Sequence, residues 1–318
     1  MRARHVLVSI ATVAAVLATA CGSGTNEPKT SGGSQSPAKG KVTIGAFGFA
    51  ESSILAAMYE QVLDKAGYDA SVKKLTNREV VEPALEKGEL DVVPEYVGTL
   101  TEFLNKKQNK QPGGADPTAL ASGDLDMTLT ALRGLATKAG LTVLTPAAAA
   151  DQNAFGVTKK FATDNNLAKL SDLAAYRGKL QLGGPSECPK RPFCKPGLER
   201  VYGIHFTGFT SFGTDAGGPV TKNAIKNGKV QIGLVFSSDS SLDGFGIVTL
   251  EDDKHLQTVD NVVPVVRASV VGAEGQAALN SLAVMTTDEL KALNKKVEVD
   301  HADAAAVAKE YLMSKGLL

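Results

Sequence analysis

Ala84-Leu85-Glu86-Lys87-Gly88-Glu89-Leu90-Asp91-Val92 and Ala224-Ile225-Lys226-Asn227-Gly228-Lys229-Val230-Gln231-Ile232 carry one pattern twice. In each, a helical ending meets a glycine and then an apolar run, so the glycine reads as a helix stop and the run as a strand. The first copy has its helix around Val80 to Leu85 and its strand at Leu90-Asp91-Val92-Val93. Upstream, Lys41-Val42-Thr43-Ile44-Gly45 reads as a strand, and Ile54, Leu55, Met58 and Val62 then recur at helical spacing. Lys179-Leu180-Gln181-Leu182-Gly183 echoes that opening strand. A shift of about 140 positions relates both pairs, which implies two lobes of similar βα topology rather than one long sheet. Chance likeness between common α/β patterns is the competing reading. Either way, strands alternating with amphipathic helices make this an α/β chain with largely parallel sheets.

In open α/β sheets, ligands bind outside the carboxyl ends of the strands. After the first strand come Phe47-Gly48-Phe49, and after its echo Ser186-Glu187 and Arg191. After the Leu90 strand comes Pro94-Glu95-Tyr96-Val97-Gly98-Thr99, and after its echo Phe236-Ser237-Ser238-Asp239. Tyr96 and Phe236 therefore fall at matching places and are expected as opposite walls of one cleft, where ring faces would hold a methylated ammonium. Core packing is the alternative for either ring taken alone.

The ends set the compartment. Arg2 and Arg4 precede the apolar run Val6 to Leu17, and Ala18-Thr19-Ala20-Cys21 follows, so residues 1–20 read as a signal peptide and Cys21 as a lipidated N-terminus. An ordinary cleavage site with a chance cysteine is the alternative. Residues 21–40, rich in Gly, Ser, Thr, Pro and Lys, read as a flexible tether. Of three cysteines, Cys21 leaves Cys188 and Cys194, six positions apart, as an expected disulfide in an oxidising compartment. Two free thiols are the alternative. Lys plus Arg and Asp plus Glu stand at 34 each, with no basic stripe interleaved with aromatics, so nucleic acid is not an expected partner. His5, His205, His255 and His301 form no recognised catalytic spacing, and Gly213 to Gly218 lacks the lysine and hydroxyl of a phosphate loop. No enzyme activity, cofactor or metal is expected. Asp252-Asp253 reads as a solvated turn rather than a cation site.

Several stretches together resemble one family, the ProX-type glycine betaine and choline substrate-binding proteins of osmoprotectant ABC importers. They are Gly45 to Leu55, with Phe49, Glu51, Ile54 and Leu55; Ala84 to Asp91; Pro94 to Thr99; Ser171-Asp172-Leu173; Glu187 with Arg191, Gly197 and Leu198; Tyr202-Gly203; and Leu250 to Lys254. The resemblance implies a type II periplasmic-binding-protein fold, two βα lobes joined by two hinge crossovers. Lobe one would comprise 41–150 and 261–318, and lobe two 151–260. It implies a solute caged by aromatic rings at Tyr96, a neighbouring hydroxyl at Thr99 and a carboxylate-binding arginine at Arg191.

The pattern changes at four places. A lysine of the family falls on Phe47, and cage tyrosines fall on Asn153, Phe236 and Asp260. Losing a lysine and gaining an acid suits a cation better than a carboxylate. Asp260 would then be a counter-charge worth about 4 kcal/mol at 4 Å for an effective dielectric near 20; a plain surface turn is its other reading. A polar or aromatic small molecule between Phe47, Phe49, Tyr96 and Phe236 also stays open. The expected function is capture of a small quaternary-ammonium solute by a monomer, held by its lipid on the extracytoplasmic face of the membrane and delivering to an ABC permease and its ATPase. The alternative from another class is a surface lipoprotein that senses such a solute without transport.

Overall fold

A computed structural model describes residues 39–114 and 116–318; the signal-peptide stretch, Cys21 and nearly all of the tether lie outside the described residues. The chain opens with β1 (Lys41–Ala46), α1 (Ala50–Lys65), β2 (Asp69–Lys74), α2 (Arg78–Lys87), β3 (Val92–Tyr96), α3 (Val97–Gln108), α4 (Leu125–Lys138) and β4 (Thr142–Val143). It crosses to β5 (Asn153–Thr158), α5 (Lys159–Asp164), β6 (Gln181–Gly184), α6 (Lys195–Tyr202), β7 (Gly208–Ser211), α7 (Pro219–Lys226), β8 (Ile232–Phe236) and β9 (Ile247–Thr249). It returns through β10 (Val262–Val266) to α8 (Ala273–Asn280), α9 (Thr287–Glu298) and α10 (Ala304–Ser314).

Two five-stranded sheets result, ordered β2-β1-β3-β10-β4 and β7-β6-β8-β5-β9. They are topological copies: β1, β2 and β3 run parallel like β6, β7 and β8, and each triplet is followed by two antiparallel pairings. The fourth strand of each sheet, β10 or β5, follows directly on a crossover, so the chain passes twice between the lobes. The two crossovers lie side by side: Ala150 bridges Asn261, the Asp151 N–H donates to the Asp260 carbonyl at 3.0 Å, and the Val262 N–H donates to Ala149 at 3.0 Å.

The repeated motif has a backbone cause. Gly88 and Gly228 end their helices with φ of 80° and 70°, the left-handed region where a side chain would be strained. The strand after Gly88 starts later than the apolar run suggests, because an Asp91 carboxylate oxygen accepts the Thr43 N–H at 2.9 Å and stands in for a ladder bond. Pairing with β1 is thus taken up at Val92, and Pro94, Glu95 and Tyr96 belong to the strand rather than to the loop beyond it. Pro94 is tolerated inside the sheet because it lies opposite Pro264, whose carbonyl points away to accept from Leu144. The two prolines thus face each other across a non-hydrogen-bonded pair, where the β3–β10 ladder asks neither for a donor.

Each lobe has its own core. In the first, Ile44, Leu55, Met58, Leu90 and Val265 are buried where α1 packs on the sheet, and α8, α9 and α10 cover α1. In the second, Phe155, Leu182, Leu198 and Ile232 are buried together with Cys188 and Cys194, which form a disulfide. No helix among the described residues is long and apolar enough to cross a membrane.

Candidate functional site

Tyr96 and Phe236 each end a five-residue strand, β3 and β8, at the crevice between the lobes. The β1–α1 turn adds Phe47 and Phe49. Phe49 stacks on Phe47 at 5.8 Å between ring centroids, with planes 8° apart, and lies 6.4 Å from Tyr96 and 5.7 Å from Phe236, tilted 32° to each. The rings form one wall in which Phe49 joins the lobes, rather than two bare walls made by Tyr96 and Phe236. They border a space of about 630 Å³, including its open mouth, that is also lined by Thr99, Asn153, Arg191 and Asp260. All eight residues singled out in the sequence thus face one cavity.

Asp260 is neither a surface turn nor an unengaged counter-charge. It is 4 % exposed, and its Oδ1 accepts the N–H groups of Gly98 at 2.9 Å and Thr99 at 3.0 Å. The Val97 N–H donates to the Asn261 carbonyl at 3.0 Å, so the second crossover caps the first turn of α3. Burial pushes the Asp260 carboxyl up to about 7 against the pull of Thr99, Arg78 and Gly98. Asp151 is its counterpart in the first crossover, two residues before β5 as Asp260 is two residues before β10. Its Oδ1 accepts the Ser238 N–H just past β8 at 2.9 Å, and burial, with Glu51 nearby, holds its carboxyl well above the usual range.

Glu51 lies beneath the rings. It accepts from the Tyr96 hydroxyl at 2.6 Å, Asn294 Nδ2 at 2.6 Å and Ser238 Oγ at 2.7 Å, so one carboxyl ties a cage ring to both lobes. Burial raises its pKa, and these three hydrogen bonds oppose the rise.

The cavity's two arginines are both engaged. Arg78 forks onto Glu95, with Nε at 2.9 Å and Nη2 at 2.6 Å, donates to Thr99 Oγ1 at 2.9 Å and lies 5.8 Å from the Phe47 ring centre. Burial disfavours its charge, but Glu95 and the neighbouring acids outweigh that and keep it protonated. Arg191 donates from Nε and Nη2 to the two oxygens of Glu79 at 3.2 and 2.9 Å, with Glu187 at 3.3 Å. The arginine expected to take a solute carboxylate therefore already holds one from the facing lobe.

Sequence reasoning missed Thr76, Asn77, Arg78, Thr214 and Ala216, which also line the cavity. All follow the edge strands β2 and β7, which no apolar run announces: β2 is Asp-Ala-Ser-Val-Lys-Lys and mostly exposed. Asp151 escapes sequence reasoning because the repeat spans the βα units, and the crossover that carries it has no apolar pattern of its own.

Two α/β lobes of equivalent topology, linked twice and meeting at a ring-lined cavity, define a type II solute-binding protein. The chain belongs to the family described as the substrate binding domain of ABC-type glycine betaine transport systems, whose model matches residues 40–314. It is thus the substrate-binding component of an ABC transporter, on the extracytoplasmic side, in a family of transport proteins rather than an enzyme class. Among its relatives, the glycine-betaine-binding protein of Pseudomonas aeruginosa is 29 % identical over 287 residues, 86 % of this chain and 88 % of that one. Glycine betaine-binding protein YehZ of Escherichia coli is 28 % identical over 290 residues, 86 % of this chain and 90 % of its own. The solved structure of apo YehZ superposes with a TM-score of 0.59 at 26 % identity, covering 87 % of this chain and 99 % of that one.

Proposed function

We propose that the cavity captures a small quaternary-ammonium solute with its head against Phe47, Phe49, Tyr96 and Phe236, and that the closed, loaded form is what the permease and its ATPase receive. The observation that carries this reading is the joining of rings from both lobes through Phe49 at one cavity. Desolvated ring faces attract a cation by about 1 to 2 kcal/mol each. Asp151 and Asp260 put two buried carboxyls in the lining, protonated more readily than usual, which a bound cation would draw into the charged form, while Arg78 and Arg191 are neutralised by protein carboxylates. That balance favours a cationic head, so choline-like solutes are placed ahead of zwitterionic ones. The two curated relatives bind glycine betaine by name, which makes betaine the comparison solute.

Lobe one, 41–150 with 261–318, and lobe two, 151–260, act as rigid bodies in this reading, and the bridged pair Ala150 and Asn261 marks the hinge. Export by the N-terminal signal and acylation at Cys21 hold the protein, as a monomer, beside its permease. Calorimetric titration tests the proposal. Choline is expected to bind, and Tyr96→Ala and Phe236→Ala each to weaken it by about tenfold, the equivalent of one desolvated ring face. Absence of binding by every quaternary-ammonium solute tried, or unchanged affinity in both variants, would sink it.

A further inference from the structure

We infer that Glu79 is an internal stand-in for a solute carboxylate, and that it sets the selectivity between zwitterionic and purely cationic quaternary-ammonium solutes. The inference rests on the cavity reading above. Glu79 is the second residue of α2 on one lobe, and Arg191 reaches it from the other. The contact is bidentate, Nε to Oε1 at 3.2 Å and Nη2 to Oε2 at 2.9 Å, the arrangement in which a guanidinium fork matches a carboxylate. Glu187 adds a second acid at 3.3 Å from Nη2. One positive charge thus faces two negative ones at the cavity's edge, so an incoming carboxylate meets net repulsion unless it displaces Glu79.

Arg191 lines the ring-bordered cavity, and Glu79 and Arg191 together line the opening that adjoins it. A solute's anionic tail, with its head on the rings, would compete for this fork, whereas a plain cation leaves the pair intact. Partial burial pushes the Glu79 carboxyl up, but the Arg191 hydrogen bonds and charge more than offset this and hold it below its usual range, so the competitor stays anionic. Side-chain exposures of 31 % for Arg191 and 40 % for Glu79 allow solvent to screen the pair, which limits the effect.

The test titrates wild type, Glu79→Gln and Glu79→Ala with choline and with glycine betaine. Both variants are expected to raise the ratio of betaine to choline affinity by about three- to tenfold, in keeping with a screened ion pair, since the loss of an interlobe contact acts on both solutes alike and cancels in the ratio. Adding Arg191→Gln to Glu79→Gln should abolish the gain. An unchanged betaine-to-choline ratio in both single variants, with both solutes bound, overturns the inference and leaves the cavity reading standing. Failure of the wild type to bind either solute overturns the cavity reading, and the inference with it.

Discussion

Asp260 accepts two backbone N–H groups on one oxygen and still lines a cavity beside the cage rings, with Arg78 as a cation that acts on it and Glu51 and Asp151 as further buried acids. Its carboxyl titrates at about 7 in the fold against 3.8 for the unperturbed group. Folding therefore favours the protonated form, and Asp260's contribution to stability falls as pH rises between these values and is level above them. A bound cation has the opposite preference, since it stabilises the carboxylate. Choline affinity is thus expected to rise severalfold from about pH 5.5 to 8. Asp260→Asn should weaken that dependence; titrations at stepped pH measure it in both proteins, and a flat wild-type profile would remove Asp260 from the site. Tyr96 and Phe236 were legible because each ends an apolar strand that repeats, and a strand end has a predictable place. Arg78 was not, since nothing in Asp69 to Lys74 announces the strand that delivers it.

At the scale of elements, the first turn of α3 and the second crossover are built as one unit. Gly98 is required there because a Cβ would sit 2.3 Å from the Val259 carbonyl and 2.2 Å from Thr258 Oγ1, and the carbonyl cannot swing aside like a side-chain tip. Gly98→Ala is expected to displace the crossover and lower stability by about 1 to 3 kcal/mol, the usual range for overpacking. Thermal melts should register this as a clear drop in Tm; an unchanged Tm would mean that the two segments are not tightly coupled. Helix stops at Gly88 and Gly228 could be read directly, because a positive φ is a local demand. The start of β3 could not, because Asp91 lends its side chain to the ladder across a separation of 48 residues.

Across the whole molecule, a few further polar links join the lobes, and in the proposed cycle they hold the closed form. Ser238, just past β8, donates to Glu51 of α1, and Asn294 of α9 donates to Ser238 Oγ at 3.2 Å. Lys222, buried with Asp239 at 2.8 Å, reaches Glu298 of α9 at 3.3 Å. None of these groups belongs to the aromatic wall, so their loss should act on closure rather than on recognition. Ser238→Ala is expected to weaken choline and betaine by one common factor of a few fold, because the two solutes share a single closing equilibrium. A change in their ratio would instead assign Ser238 to the solute itself. By itself the sequence determined the α/β class and pointed to the twofold repeat, the Cys188–Cys194 pair and the rings at repeated strand ends, each from periodicity or from chemistry within one segment; Thr99, Asn153, Arg191 and Asp260 entered through the family resemblance. Only the tertiary structure decided that Glu79 occupies Arg191, that Asp260 and Asp151 cap opposite lobes, and that Phe49 joins the rings. Each of those contacts joins residues far apart in the chain, and which partners meet is set by how the two sheets pack and cross rather than by any local pattern.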